Sequence, residues 1–205
     1  MSNKKELILC FNKKQALSLM KDTSGDAEEF LKHSHHLDQY FIPRYVAETS
    51  DTLVHPIPYY LVLNEKKEVL LYQRGKGVGE SRLVGNYSVG IGGHVSDTEA
   101  YIEHISGTLY SNKECIYNTA WIEAKEELDA EYSSDFENLD IIYDDSDEVG
   151  AVHLGVCAKI HVTYAEFKED ELIDCGFHSK DVILAMHNNG EIVLENWSLL
   201  LLDML

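Results

Sequence analysis

Tyr87-Ser88-Val89-Gly90-Ile91-Gly92-Gly93-His94-Val95, followed downstream by Glu123-Ala124-Lys125-Glu126-Glu127-Leu128, is the stretch that decides how this chain reads. The first run is a strand closing on a glycine turn, and the second belongs to a helix that carries a cluster of carboxylates. Glu123 and Glu127 are four residues apart, so on a helix they stack on one face and repel. At about 100° per residue they fall roughly 20° either side of Ile116, along the edge of the stripe Ile116, Ala120, Ala124 and Leu128. An acidic pair bordering an apolar stripe is costly unless something positive sits between the side chains. A hard divalent cation held by carboxylate oxygens is the simplest answer. The competing reading is a solvated helix in an acid-rich chain, with 36 Asp and Glu against 17 Lys and Arg.

These segments resemble the signature of the Nudix hydrolase family: a Gly, five residues, Glu, seven residues, then Arg-Glu-apolar-x-Glu-Glu-x-Gly-apolar. The later half maps onto Glu114, seven residues, then Ile122 to Ala130, and Gly93 supplies the opening glycine across an insertion. Val69 to Arg74 looks like the strand that precedes the box in that family, with its terminal Gln-Arg. Asp144-Asp145-Ser146, Val152 to Val156 and Glu195-Asn196-Trp197-Ser198 look like a Nudix-like subgroup described as predicted phosphoesterases. The resemblance covers residues 40–205.

The resemblance implies an α/β fold, a Nudix-type α/β/α sandwich around a mixed β-sheet. It implies hydrolysis of a diphosphate linkage in a nucleoside diphosphate joined to another group. Glu123, Glu126 and Glu127, with a backbone carbonyl at Gly92 or Gly93, would then hold Mg²⁺ or Mn²⁺. One acid from loop 144–148, Asp145 among them, would supply a further ligand or the general base. Two positions depart from the pattern. The family's Arg is Ile122, and its late Gly is Asp129, so the helix is expected to run on through Ala130 and Glu131. The rival reading is a Nudix-fold module that binds a nucleotide without cleaving it.

Composition narrows the rest. A net charge of −19 argues against a nucleic-acid polymer as partner, because such binding rests on phosphate neutralisation by Lys and Arg. The imbalance is steepest late, with 16 acids against three lysines in residues 135–205. A small anionic substrate then needs bound cations to reverse the field locally. Arg74, Lys76 and Arg82 in the glycine-rich loop 74–85 are the candidate phosphate contacts, Arg in bidentate fashion. Cys10, Cys115, Cys157 and Cys175 form no Cys-x-x-Cys pair and read as thiols of a reducing cytoplasm. No run has the length of a membrane span and no secretory signal opens the chain.

One domain of 205 residues is expected, with an N-terminal elaboration over 1–40 and an insertion over 96–113; a homodimer stays open. Leu7 to Phe11 reads as a strand, Asn12 as the cap of a helix to Met20, and 27–37 as a second helix. Asn64 to Lys67 separates two apolar runs as a hairpin would. Strands are expected over 139–143 and 151–163, and helices over 167–174, 180–187 and 196–205, the last docked by Trp197. Ser111-x-x-Glu114 fits a capping box, which gives Glu114 a structural role rivalling a catalytic one. His33 and His36 are one helical turn apart but lack companions for a tetrahedral metal site. His94 reads as a loop or site-packing residue, and His153 as a satisfied strand or pocket residue.

The Ile122 departure generates a test. In the resembled family an Arg there braces the glutamates, and small misplacements of such groups cost much rate. Ile122→Arg is expected to tighten Mg²⁺ binding or raise turnover. A folded variant in which calorimetry and kinetics both read as wild type would remove the idea of a weakened brace.

Overall fold

Asn64 makes the turn that the two apolar runs call for. Its Oδ1 accepts from the amides of Lys66 and Glu68, each at 2.9 Å, and its Nδ2 donates to Glu68 at 2.8 Å. Lys67 adopts a φ of 62°, and Leu63 then pairs with Val69 across the hairpin. The paired strands are β3 (Leu53–Leu63) and β4 (Val69–Arg74). The computed structural model describes residues 6–75, 83–97, 111–168 and 172–205. They fall into two compact units, interleaved along the chain: those within Met1–Tyr59, Gly92–Ile122 and Asn138–Cys157, and those within Tyr60–Ile91, Glu123–Glu137 and Ala158–Leu205.

In the first unit β1 (Leu7–Asn12) lies antiparallel to β2 (Gln39–Pro43), from Leu7 opposite Pro43 to Phe11 opposite Gln39. On its other side β1 meets the start of β3, with Phe11 opposite Val54. Asn12 caps α1 (Lys13–Asp22) by accepting from the Gln15 amide at 3.1 Å, and Asp26 caps α2 (Ala27–His33) through the Glu29 amide at 2.7 Å. A short α3 (Arg44–Ala47) follows β2. Phe11, Phe30, Val54, Val95, Ile116 and Leu154 are buried in one cluster, so the first 40 residues contribute directly to this unit's core. Ile116 comes from α4 (Asn112–Glu127) and Leu154 from the start of β9 (His153–Phe167).

The short β6 (Gly90–Gly92) shows why the glycine turn is needed. A Cβ at Gly92 would lie 2.0 Å from the carbonyl oxygen of Pro58 and 3.1 Å from its carbon. Backbone cannot yield as a flexible side chain can, so only glycine fits. Beyond it Val95 accepts from the Leu9 amide at 2.8 Å, and Ser96 forms a bridge with Ile8.

In the second unit β4 pairs with β5 (Tyr87–Ser88) and with β10 (Leu172–His178), and β7 (Leu128–Tyr132) pairs with β9. The expected helix over 167–174 does not form in its described residues: Phe167 ends β9, and Leu172 to Asp174 open β10, with 169–171 outside the described residues. Leu172 lies opposite Arg74, and a bulge between Asp174 and Phe177 is taken up by Gly176 at φ 80°. The expected run-on of α4 also fails, since the chain passes into β7 directly. The released carbonyls are satisfied elsewhere: the Lys168 amide donates to Glu127 O at 2.9 Å, its ammonium to Lys125 O, and the Tyr132 hydroxyl to Ala124 O at 2.9 Å. No left-handed exit is needed, so Asp129 is tolerated where the family has Gly.

The other expected helices form as α5 (Lys180–Asn188) and α6 (Asn196–Asp203). Ser198, Leu201 and Leu202 are the buried residues of α6, while Trp197 is only partly buried, so the docking is shared rather than Trp197's alone. Among the described residues no helix is long and apolar enough to cross a membrane. The cysteines are free, and burial pushes the Cys10 thiol up to about 12.

Gly92→Ala should cost about 1–3 kcal/mol or more, the usual range for overpacking against atoms that cannot move. Urea unfolding would show this as a lower midpoint with unchanged slope. A wild-type midpoint would mean that the close approach to Pro58 is not tight.

Candidate functional site

The carboxylate helix begins as the sequence predicts. Ser111 donates from its amide and hydroxyl to Glu114 at 2.7 and 2.8 Å, and accepts from the Glu114 amide at 3.3 Å. Those hydrogen bonds hold the Glu114 carboxyl below its usual range. Glu114 is thus the helix cap, exposed and occupied. Ile116 and Ala120 of the apolar stripe are buried in the first unit, and Ala124 and Leu128 in the second.

In the second unit Glu123 and Glu127 are partly buried and Glu126 is exposed. The Tyr60 side chain is buried there, and its hydroxyl has no hydrogen-bond partner among the described residues. Its ionisation is pushed well up by burial, then by the charges of Tyr132, Glu127 and Glu123. Tyr72 is raised to about 12, chiefly by burial; Glu195 and Glu127 add to this, while Arg74 and Ser88 oppose it. Its hydroxyl donates to Gly90 O at 2.7 Å. The two glutamates therefore act electrostatically on a buried tyrosine layer.

Arg74, expected at the phosphates, forms an ion pair with Glu195 in which Nε and Nη2 each approach a carboxylate oxygen. Glu195 is 8% exposed. Ser198, three residues on, shares a 3.0 Å hydrogen bond with Ser88 and accepts from the Val89 amide at 3.2 Å. The Glu195-Asn196-Trp197-Ser198 motif thus fastens the C-terminal helix to β4, β5 and the residue after β5. Lys76 and Arg82 lie outside the described residues, as does most of the 96–113 segment.

In the first unit the acidic loop 144–148 is largely occupied with its own backbone. Asp144 accepts from the Ser146 amide at 3.0 Å, and Asp147 from the amides of Val149 and Gly150 at 2.9 and 2.7 Å. Asp145 is exposed. Gly93 immediately precedes a residue whose setting the sequence did not disclose.

That residue is His94, which meets His55 from β3 and His153 at the start of β9. Their rings are 5.1 Å (His55–His94), 4.1 Å (His55–His153) and 5.4 Å (His94–His153) apart. One nitrogen from each ring lies within 4.8 Å of the other two. Glu123, Glu126 and Glu127 make no comparable group in this structure. His55 was missed by sequence reading, and only its place among prolines in an apolar strand set it apart. The half-buried His33 instead lies 3.5 Å from Glu29, and His35 packs on His36.

No family model matches the sequence. Protein YmaB of Bacillus subtilis (strain 168) is 30% identical over 167 residues, covering 78% of this chain and 74% of YmaB. The solved structure of Tm1382, a protein assigned to the Nudix hydrolases, superposes with a TM-score of 0.76 at 24% identity, covering 98% of this chain and all of Tm1382. The chain belongs to the same family as YmaB. DR0079 from Deinococcus radiodurans shares the fold more loosely, with a TM-score of 0.52 at 15% identity over 75% of this chain and 83% of its own. The α/β architecture of the Nudix type is thus the fold of this chain.

Removing Glu195 would take the paired carboxylate from the Arg74 guanidinium, whose side chain is only 19% exposed. Glu195→Ala should cost about 3 kcal/mol. Arg74→Met with Glu195→Leu should recover most of that loss, because no charge is then left without a partner. Equal losses in the single and double variants would show that the pair contributes through shape alone.

Proposed function

We propose that this Nudix-like chain is a metal-dependent hydrolase of a diphosphate linkage in a small nucleotide derivative. The supporting observation is the pairing of Glu123 with Glu127 on one partly buried helical face, where both act on the orphaned hydroxyl of Tyr60. The donor set fits the ions proposed, since three carboxylates offer hard oxygens suited to Mg²⁺ or Mn²⁺. A bound ion of that kind would polarise the phosphate oxygens and acidify a water.

The chain's own groups divide the remaining work. Glu123 and Glu127, partly buried, and the exposed Glu126 supply the negative charge. Tyr60 and Tyr72, both buried, keep that setting dry on the protein side. Arg74, held by Glu195, stands with Lys76 and Arg82 as a candidate phosphate contact. Gly93 as a carbonyl ligand and Asp145 as proton acceptor rest on the family resemblance. A small anionic substrate is favoured over a polymer by the charge of −19. Ile122, standing where the family has its bracing Arg, supports the second reading, a nucleotide-binding protein that does not cleave.

Phosphate release from a panel of nucleoside diphosphate derivatives, with Mg²⁺ or Mn²⁺, tests the reading. Glu127→Gln keeps the size but not the charge, so turnover should fall by about 100-fold or more, given that lesser losses around metals cost 10–100-fold. The melting temperature without metal should hold or rise slightly, because a like-charge pair is relieved. Wild-type turnover in a folded Glu127→Gln protein would exclude the assigned role. Nucleotide binding without release of phosphate would favour the second reading.

A further inference from the structure

His55, His94 and His153 come from three separate segments of the first unit and converge. His55 is 1% exposed, and neither ring nitrogen has a hydrogen-bond partner among the described residues. A buried polar group left in that state costs about 1–3 kcal/mol, so its persistence needs a reason. His153 supplies part of it. Its Nδ1 lies 2.6 Å from the Val149 carbonyl, to which it donates, which leaves the Nε2 lone pair directed elsewhere. That Nε2 is 3.3 Å from Nε2 of His94. Two imidazole nitrogens bound at 2.0–2.1 Å to one tetrahedral ion sit about 3.3 Å apart.

The supports of this cluster are built in. The carbonyl of Val149 is held because Asp147 accepts from the Val149 and Gly150 amides, and the Ala151 amide donates to Asp147 O at 3.1 Å. A carbonyl accepting from the far nitrogen of a ligand histidine is the usual outer partner of a metal-bound imidazole. Gly92 against Pro58 and Val95 against Leu9 fix the chain on both sides of His94. Burial, then neighbouring charge, keeps His55 and His94 neutral, the form that ligates. Arg44 contributes an opposing positive charge, but it is paired with Glu48 at 2.7 Å and Glu6 at 3.5 Å.

We propose that His55, His94 and His153 form a binding site for a divalent transition-metal ion, zinc foremost, with a fourth position open to water. Three neutral imidazoles select zinc and its neighbours, whereas the carboxylates of α4 select Mg²⁺ or Mn²⁺, and the two ligand sets share no residue. Three protein ligands with partly exposed His94 and His153 make an open site. The 4.8 Å spread closes to a tetrahedral edge through the broad ring torsions of histidine.

The test uses the full chain, stripped with a chelator and titrated with Zn²⁺, then with Co²⁺ as a spectroscopic substitute. One Zn²⁺ per chain should bind, with a concentration-dependent rise in melting temperature, and Co²⁺ should show the intense visible bands of four-coordination. His94→Gln and His153→Gln, at partly exposed positions, should each weaken Zn²⁺ binding by about 100-fold or more. His33→Gln with His36→Gln should leave it unchanged, and so should Glu127→Gln, which keeps this outcome separate from that of the hydrolase reading. X-ray absorption of the zinc-loaded wild type should count three imidazoles, which serves even if a histidine variant fails to fold. No stoichiometric Zn²⁺ binding, a six-coordinate Co²⁺ spectrum, or loss of binding in the His33/His36 variant would each overturn the site.

Discussion

The approach of Gly92 to the backbone of Pro58 is the constraint on which the first unit's arrangement turns. At 2.0 Å from the carbonyl oxygen to a would-be Cβ, the contact admits no side chain. Because the turn can come this close to β3, the next residues reach β1: Val95 accepts from Leu9, and Ser96 bridges Ile8. Val95 is thereby buried with Phe11 and Val54. His94 is held between these two fixed points, which brings it over His55. Gly92, one of the two glycines whose carbonyl reads as a candidate metal ligand, is thus also a packing residue. Its chemical consequence is carried by its neighbours.

The second unit depends on how the carboxylate helix stops. Ending a helix in a buried region exposes carbonyls that need donors. Lys168 supplies two, from its amide and its ammonium, and Tyr132 supplies a third. Both residues belong to the β7–β9 pairing or its immediate continuation, so the strand pair that follows the helix also caps it. That closes off the usual need for glycine after the Glu pair, and it fixes the last turn, where Glu123, Glu126 and Glu127 sit. Asp129 opposite Glu166 places two acids across one strand pair, an unfavourable local choice that the surrounding ladder outweighs.

What could be read from the sequence was what local chemistry writes. The Asn64 turn, the Asn12 cap, the Ser111–Glu114 box and the stripe from Ile116 to Leu128 each depend on residues within a few positions. Each appears as the spacing requires. Leu172 to Asp174 were misread as helix because their strand exists only through pairing with β4, far earlier in the chain, and no local periodicity announces that. The Arg74–Glu195 pair spans 121 residues, so no local pattern announces that Arg74 has this partner. The histidines fail for the same reason. His94 and His153 are 59 apart, and each alone is an ordinary strand or loop residue. The motif supplied the glutamates because a helix gathers them locally; nothing local gathers three strands.

This difference in assembly carries a chemical corollary. Ligands set on one helix come with a fixed spacing and a shared repulsion, so they gain most from an ion that neutralises them and tolerates flexible oxygen geometry. Ligands brought together from separate segments of the chain are close to one another before any ion arrives. Pre-placed neutral nitrogens suit an ion that is discriminating about donor type and geometry and has no need of charge neutralisation. On these two proposals, one chain with a net charge of −19 would present hard oxygen donors and borderline nitrogen donors without the two sets competing for the same cation. The acidic field draws any divalent ion toward the protein, and the donor chemistry then decides which residues keep it.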